Sequence, residues 1–197
     1  MAGWSDHTLY LLRHGETDWN REQRFQGQTD IPLNDLGRSQ ARHNGTTLKK
    51  VLGDAKGYRF VASPLSRTRE TMEIARRAME LEPSAYDTDA RLIEVAFGQW
   101  EAQTLPDLER QQPQAIAERD ADKWNHVPPG GESYAMLAER VAAFLDDNTM
   151  PAVIVAHGGV IRAFRHFFEP GEADIVTAPV PQDRVYCVRS GRGAWLD

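Results

Sequence analysis

Apolar and polar positions along the chain fall into short blocks of two alternating kinds. Residues 8–13, TLYLLR, are a brief apolar run with no helical period, which predicts a buried strand. YRFVAS at 58–63, stopped by Pro64, and PAVIVA at 151–156 read the same way, and DRVYCVR at 183–189 reads as a final strand. Between these runs the period lengthens. A helix is predicted from a cap at Asn34 or Asp35 to about Leu52, with Leu36, Ala41, Leu48 and Leu52 inward. LSRTRETMEIARRAMEL at 65–81 predicts a helix resting on Leu65, Met72, Ile74, Ala75 and Met79. Ser133 should cap another through Asp146, with Leu137, Val141, Phe144 and Leu145 inward. GGVIRAFRHFF at 158–168 should form a helix starting at its own glycines. Residues 14–34, rich in Gly, Asn, Asp and Pro, read as a long loop, and 84–98 as extended chain. Residues 99–131 are polar and weakly helical, and read as a mobile cover rather than core.

Strands alternating with helices indicate an α/β layered fold with a mostly parallel sheet. Nothing in the pattern marks a linker or a repeat, so residues 1–197 are expected to form one domain, with 99–131 covering its site.

Composition narrows the function. The net charge of −6 gives no general attraction for nucleic acid or acidic lipid, so an anionic substrate needs a local cationic pocket. No apolar run approaches the roughly 20 residues of a membrane helix. Cys187 is the only cysteine, which excludes an intrachain disulfide and fits a reducing compartment. The first ten residues lack a basic segment followed by an apolar one, so no secretory leader is expected and the location is read as cytoplasmic.

Two of the predicted strands end alike, in Arg-His-Gly at 13–15 and Ala-His-Gly-Gly at 156–159. In open α/β sheets ligands sit beyond the carboxyl ends of the strands, so His14 and His157 are expected at one edge. Gly158 and Gly159 also open a helix, whose first N–H groups suit an anion. Arg13 and Arg67, each beside a strand end, would clamp a phosphate through paired donors. Glu94 could supply an acid at the rim. A nucleophile, anion clamps and an acid are the set needed for phosphoryl transfer through a covalent intermediate. Taken singly, Arg67 reads as a helix-surface residue paired with Glu70 or Glu73, and Glu94 as a solvated loop carboxylate. His14, Glu94 and His157 as metal ligands are disfavoured, because their spacing is wrong and Arg13 would repel a cation.

Six strings in order carry a resemblance: RHGETDWN at 13–20, QGQTDIPLNDLGRSQA at 26–41, ASPLSRTRETMEIA at 62–75, LIEVAFGQWEA at 92–102, PPGGESYAMLAERV at 128–141 and VIVAHGGVIRA at 153–163. Together they resemble the histidine phosphatase superfamily, in the branch of the phosphoglycerate mutases and small phosphatases. The resemblance implies a three-layer phosphoglycerate mutase-like sandwich. It also implies His14 as nucleophile and Glu94 as general acid and base. Arg13, Asn20, Arg67 and His157, with the N–H of Gly158, would then bind the phosphoryl group, and Gln26 and Gly27 would touch the substrate. Three departures concern substrate preference: Thr68 where alanine is common, Ala102 where glycine is frequent, and Gln182 near a usual asparagine. Residues 99–131 are shorter than the insertion mutases carry and lack its adjacent arginines. The expected activity is therefore hydrolysis of a small phosphorylated metabolite, needing no metal or other cofactor. Phosphoglycerate mutation and non-catalytic phosphate binding are the alternatives, and a homodimer is an open one for assembly.

Overall fold

The computed structural model describes residues 4, 7–169, 171 and 175–196. Half of residues 1–10, on which the leader-free reading rests, lie outside these. Strand β1 (Leu9–Arg13) leads into a loop holding one short helix, α1 (Asp18–Arg21), then α2 (Asp35–Leu52). Strand β2 (Arg59–Ala62), helix α3 (Ser66–Ala78) and the two-residue β3 (Asp87–Thr88) follow. Next come α4 (Leu105–Gln111), α5 (Pro113–Ala121) and α6 (Tyr134–Asp147), then β4 (Ala152–Ala156), α7 (Gly158–Phe168), β5 (Val185–Arg189) and β6 (Arg192–Trp195).

The sheet order is β3-β2-β4-β1-β5-β6. β3, β2, β4 and β1 run parallel, with Leu11 opposite Ile154, and β5 and β6 close the far edge antiparallel. Alternation along each strand sends side chains to two faces. Leu9, Leu11, Ile154 and Ala156 face α6 and α7 through Val141, Phe144, Ile161 and Phe164. Tyr10, Leu12, Val153 and Val155 face α2 and α3 through Leu48, Met72 and Ala75. The result is a three-layer α/β sandwich. Among the described residues no helix is long and apolar enough to cross a membrane.

Several expectations are corrected locally. Leu36 is 53% exposed, because it lies in the first turn of α2 before the helix meets the sheet. The inward side of α3 is more polar than its apolar residues suggest: Arg67, Thr68, Thr71 and Arg76 are buried with Met72 and Ala75, while Ile74 is only half-buried. Residues 84–98 are largely irregular, with a 3₁₀ turn at Ala90–Leu92 in place of continuous extended chain. β6 was not expected. It pairs with β5 across a tight turn at Ser190 and Gly191, whose φ values of 49° and 72° are those of a hairpin. Residues 99–131 contain packed structure of their own: Trp100, Leu108 and Ile116 are buried together, with Phe25, Phe97 and Leu105 against them.

Candidate active site

Three adjacent parallel strands, β2, β4 and β1, stop at one edge of the sheet, and each is followed by a polar residue: Ser63, His157 and His14. The backbone ladder runs one residue past the strands, with the His14 N–H donating to Ala156 O at 2.9 Å and that of Ser63 to Val155 O at 3.0 Å. The side chains therefore leave a rigid rim at fixed angles. The two imidazoles meet edge to face with centroids 5.2 Å apart.

The glycine after His14 serves the packing of the chain against α2. A side chain on Gly15 would lie 2.1 Å from the carbonyl oxygen of Gly37, so the chain is pressed against α2 there and not against a ligand. Gly159 does serve the site. A Cβ there would lie 2.4 Å from Glu94 Oε1.

Nδ1 of His14 stands 2.8 Å from Gly15 O, which can only accept. The proton therefore belongs on Nδ1, and the lone pair is left on Nε2. Burial holds the His14 pKa well below the usual imidazole range, and Arg67 and Arg13 push it the same way. His157 is lowered too, by burial and then by Arg67, His14 and Arg13. Its Nε2 contacts Ser63 Oγ at 2.8 Å, while its buried Nδ1 has no protein partner. Both rings are neutral at physiological pH.

Arg67 is no surface residue. It is fully buried and donates to Thr29 O at 2.8 Å and Gly27 O at 2.7 Å, with Asp30 3.7 Å away. Arg13 donates to Val180 O at 2.9 Å. The Nε atoms of both arginines are buried without a partner. Burial lowers the Arg13 pKa to about 10, still far above neutrality. Two buried guanidinium Nε–H donors without acceptors make an anion cradle, which His157 Nδ1 joins in the tautomer whose Nε2 accepts from the Ser63 hydroxyl.

Glu94 lies on irregular chain after the 3₁₀ turn, and its Oε2 accepts the Gly159 N–H at 3.1 Å. Asn20 Oδ1 accepts from the Thr17 N–H and hydroxyl and from Gln182 Nε2 at 3.0 Å, which directs its amide donors elsewhere. Arg13, His14, Asn20, Gln26, Gly27, Arg67, Glu94 and Gly158 all line one cleft of about 280 Å³. Gly27 turns its carbonyl to Arg67. Of the expected residues, His157 stands just behind the cleft lining, against His14.

The sequence reading passed over several neighbours. Arg162 and Tyr134 line the cleft, as do Phe25, Phe97 and Leu105. Arg162 was detectable, because it falls one helical turn after Gly158 on the same face. Glu101 was not: its carboxylate accepts the N–H groups of Gln28, Thr29 and Phe97, and so fixes the loop whose carbonyls hold Arg67. Neither Trp100 nor Trp124 lines the cleft: Trp100 is buried in packing, and Trp124 stacks on Tyr134 and meets His166 at a tilt. Among the described residues no three His, Cys, Asp or Glu side chains are grouped to hold a metal ion.

The family model described as histidine phosphatase superfamily (branch 1) matches residues 9–195. A glucosyl-3-phosphoglycerate phosphatase of Mycolicibacterium vanbaalenii is 34% identical over 168 residues, spanning 79% of this chain and 71% of that one. Phosphoglycerate mutase-like protein 4 of Arabidopsis thaliana is 33% identical over 162 residues, spanning 79% and 68%. The crystal structure of the alpha-ribazole phosphatase from Shigella flexneri superimposes with a TM-score of 0.78 over 94% of this chain and 93% of that one, at 23% identity, a likeness of fold.

Proposed function

This chain belongs to the histidine phosphatase superfamily and is a phosphatase of that type, and we propose that it hydrolyses small phosphomonoesters without a metal, using His14 as nucleophile. His14 Nε2 attacks phosphorus in line and the P–O ester bond breaks. The departing alkoxide takes a proton from Glu94. Water then attacks the phosphohistidine, gives its proton to Glu94, and releases phosphate with His14 restored. Arg13, Arg67, His157 and Asn20 hold the equatorial oxygens, where the charge of the transition state gathers. These guanidiniums take the electrostatic part that a metal would otherwise supply.

The observation that carries this reading is the set of orphaned buried nitrogens around a neutral His14: the donors Arg13 Nε and Arg67 Nε, and His157 Nδ1, a donor when Nε2 accepts from the Ser63 hydroxyl. A dianionic phosphoryl group satisfies all three. The test is phosphate release from a panel of small phosphomonoesters in buffer containing a chelator. Release on some members establishes the reading, and no release on any overturns it. A cytoplasmic site of action is part of the same proposal, supported by the lone, buried Cys187.

Mutation of phosphoglycerate is the second reading, favoured by the likeness to a mutase-like relative. Of residues 99–131 only Leu105 lines the cleft, which gives a phosphohistidine little shelter from water and favours hydrolysis. Isomerisation of phosphoglycerate dependent on a bisphosphate primer, without net phosphate release, would reverse that preference.

A further inference from the structure

Of the three departures from the family strings, Gln182 is the one whose side chain hydrogen-bonds to His14. It does not line the cleft, so it has no direct contact with a leaving group through which to select substrates. Its place is behind the nucleophile and Asn20.

The side-chain amide of Gln182 spans those two residues. Nε2 donates to His14 O at 3.2 Å and to Asn20 Oδ1 at 3.0 Å, one N–H to each. Both amides are oriented without ambiguity. The His14 carbonyl can only accept, and Asn20 Oδ1 also receives the Thr17 N–H at 3.1 Å. The two Nδ2 donors of Asn20 are thereby left to the cleft that Asn20 lines. The Thr17 bonds lie inside the turn that carries Asn20 and move with it. Gln182 comes from 162 residues away and ties that amide to the end of β1.

Gln182 is itself anchored. Its carbonyl oxygen accepts from Nδ2 of Asn44, buried in α2, at 2.9 Å. Two residues earlier the Val180 carbonyl accepts from Arg13 at 2.9 Å. Residues 180–182 thus form a strap from α2 to Arg13, to the backbone of His14 and to the amide of Asn20. Asn20 otherwise rides on a four-residue helix within a long loop. A misplacement of about 1 Å in a group that holds a reacting phosphoryl costs up to about 100-fold in rate.

We propose that Gln182 is a positioning residue of the phosphoryl site, whose side-chain amide fixes the spacing between His14 and Asn20, and not a determinant of substrate preference. The inference rests on the reading of Asn20 as a phosphoryl ligand, and the experiment separates the two.

The measurement is orthophosphate affinity, by calorimetric titration, in the wild type, Asn20→Ala, Gln182→Met and the double variant. Asn20→Ala should weaken binding by about 10-fold or more, the effect of a hydrogen bond to a charged group. Gln182→Met keeps the length of the side chain and removes both donors, and should weaken binding by about 5- to 10-fold. Gln182→Asn, with its amide drawn back by one methylene, should lose less. In the Asn20→Ala background Gln182→Met should cost about twofold at most, because the group it positions is gone. The same loss in both backgrounds would mean that Gln182 only supports the fold, and would overturn the proposal. So would unchanged affinity in Gln182→Met. Across a panel of phosphomonoesters Gln182→Met should lower kcat/KM by a common factor, and a changed order of preference would make it a specificity residue instead. If Asn20→Ala leaves the affinity unchanged, Asn20 is no phosphoryl ligand, and the bridge falls with that reading.

Discussion

His14 and Trp100 are both sealed from solvent, at 2% and 0% exposure, yet the regions around them are built on opposite terms. The floor of the cleft, His14, His157, Arg13 and Arg67, is polar and incompletely satisfied, and it stands on the central sheet. The region around Trp100, with Leu108 and Ile116, is mainly apolar; Trp100 Nε1 has its partner in Gln112 at 3.2 Å, and the single orphaned polar atom beside it is Nε2 of His126, which stacks on the indole. A buried donor left without an acceptor costs about 1–3 kcal/mol, so the floor draws on the stability of the two large cores above and below it. The Trp100 cluster is joined to a large core through Phe97, while α4 and α5 meet each other rather than the sheet. Chemistry is placed on the sheet, and the wall that lends Phe25, Phe97 and Leu105 to the cleft is placed where change is least costly.

The largest expected effect separates the two regions outright. His14→Ala should lower kcat by about 10⁴-fold or more, since removing a nucleophile removes the covalent route. Rapid-quench trapping should find phosphoprotein in the wild type and none in the variant. Turnover persisting within tenfold would end the nucleophile assignment. Trp100→Ala should act on the other region, removing about 3–5 kcal/mol of local packing. Hydrogen exchange should quicken across 105–121 while β1 and β4 keep their protection. If β1 and β4 loosen equally, the wall is not energetically separate.

The difference between the regions also governs what could be read from the chain. β1, β2 and β4 were visible because a strand covered on both faces is a bare apolar run, and α7 because its first glycines mark its start. His14 and His157 were placed at one edge from that alone. α2 and α6 were legible through their caps, Asn34 accepting from the Gly37 N–H and Ser133 from that of Met136. β6 was missed because Arg-Gly-Ala-Trp, half exposed at a sheet edge, has no apolar period, although Ser-Gly before it was a turn signal. The Trp100 cluster was missed because its members, Phe25, Trp100, Leu108 and Ile116, are scattered over four segments. Glu101 was missed for the same reason: the loop it holds, at Thr29 and Gln28, lies 72 and 73 residues away. Arg67 shows the limit of reading a residue alone. On a polar helix it looked solvated, and only the loop carbonyls it meets explain its burial.

Gly159→Ala tests the join between floor and acid. The added methyl would stand 2.4 Å from Glu94 Oε1 and displace the carboxylate from the Gly159 N–H. Turnover of alkyl phosphates should fall by about 100-fold, a typical general-acid contribution, and turnover of aryl phosphates, which leave without a proton, far less. Equal losses on both would remove Glu94 from the role of proton donor.

The buried imidazoles of His14 and His157 give the floor a pH signature. Both have pKa values held below the ordinary 6.5, so between the lowered value and 6.5 the unfolded chain binds more protons than the folded one. Their contribution is whole above 6.5 and declines as pH falls through and below it. Each group should cost about 1.4 kcal/mol per pH unit in that window. Urea unfolding from pH 7 to 5.5 should show the decline, and His157→Asn should lessen it, leaving the part due to His14. A slope unchanged by His157→Asn would mean the ring is protonated in the fold.

The smallest expected effect lies at the seam between the regions. Ala102 has a φ of 68°, a left-handed conformation that costs an L-residue about 1–2 kcal/mol. It is retained at a bend where the Ala102 N–H donates to Phe25 O at 2.8 Å and its carbonyl accepts from Arg24 at 2.7 Å. Both bonds are made by the backbone and survive any substitution. Its methyl is exposed, so little packing is lost with it. Ala102→Gly should therefore relieve the strain, offset by the greater freedom of glycine in the unfolded chain, for a net gain of about 0.5 kcal/mol. A matched pair of denaturation curves measures this. A loss of stability instead would show that the bend is held by contacts of the Ala102 methyl, and that wall and floor are joined there by packing as well as by hydrogen bonds.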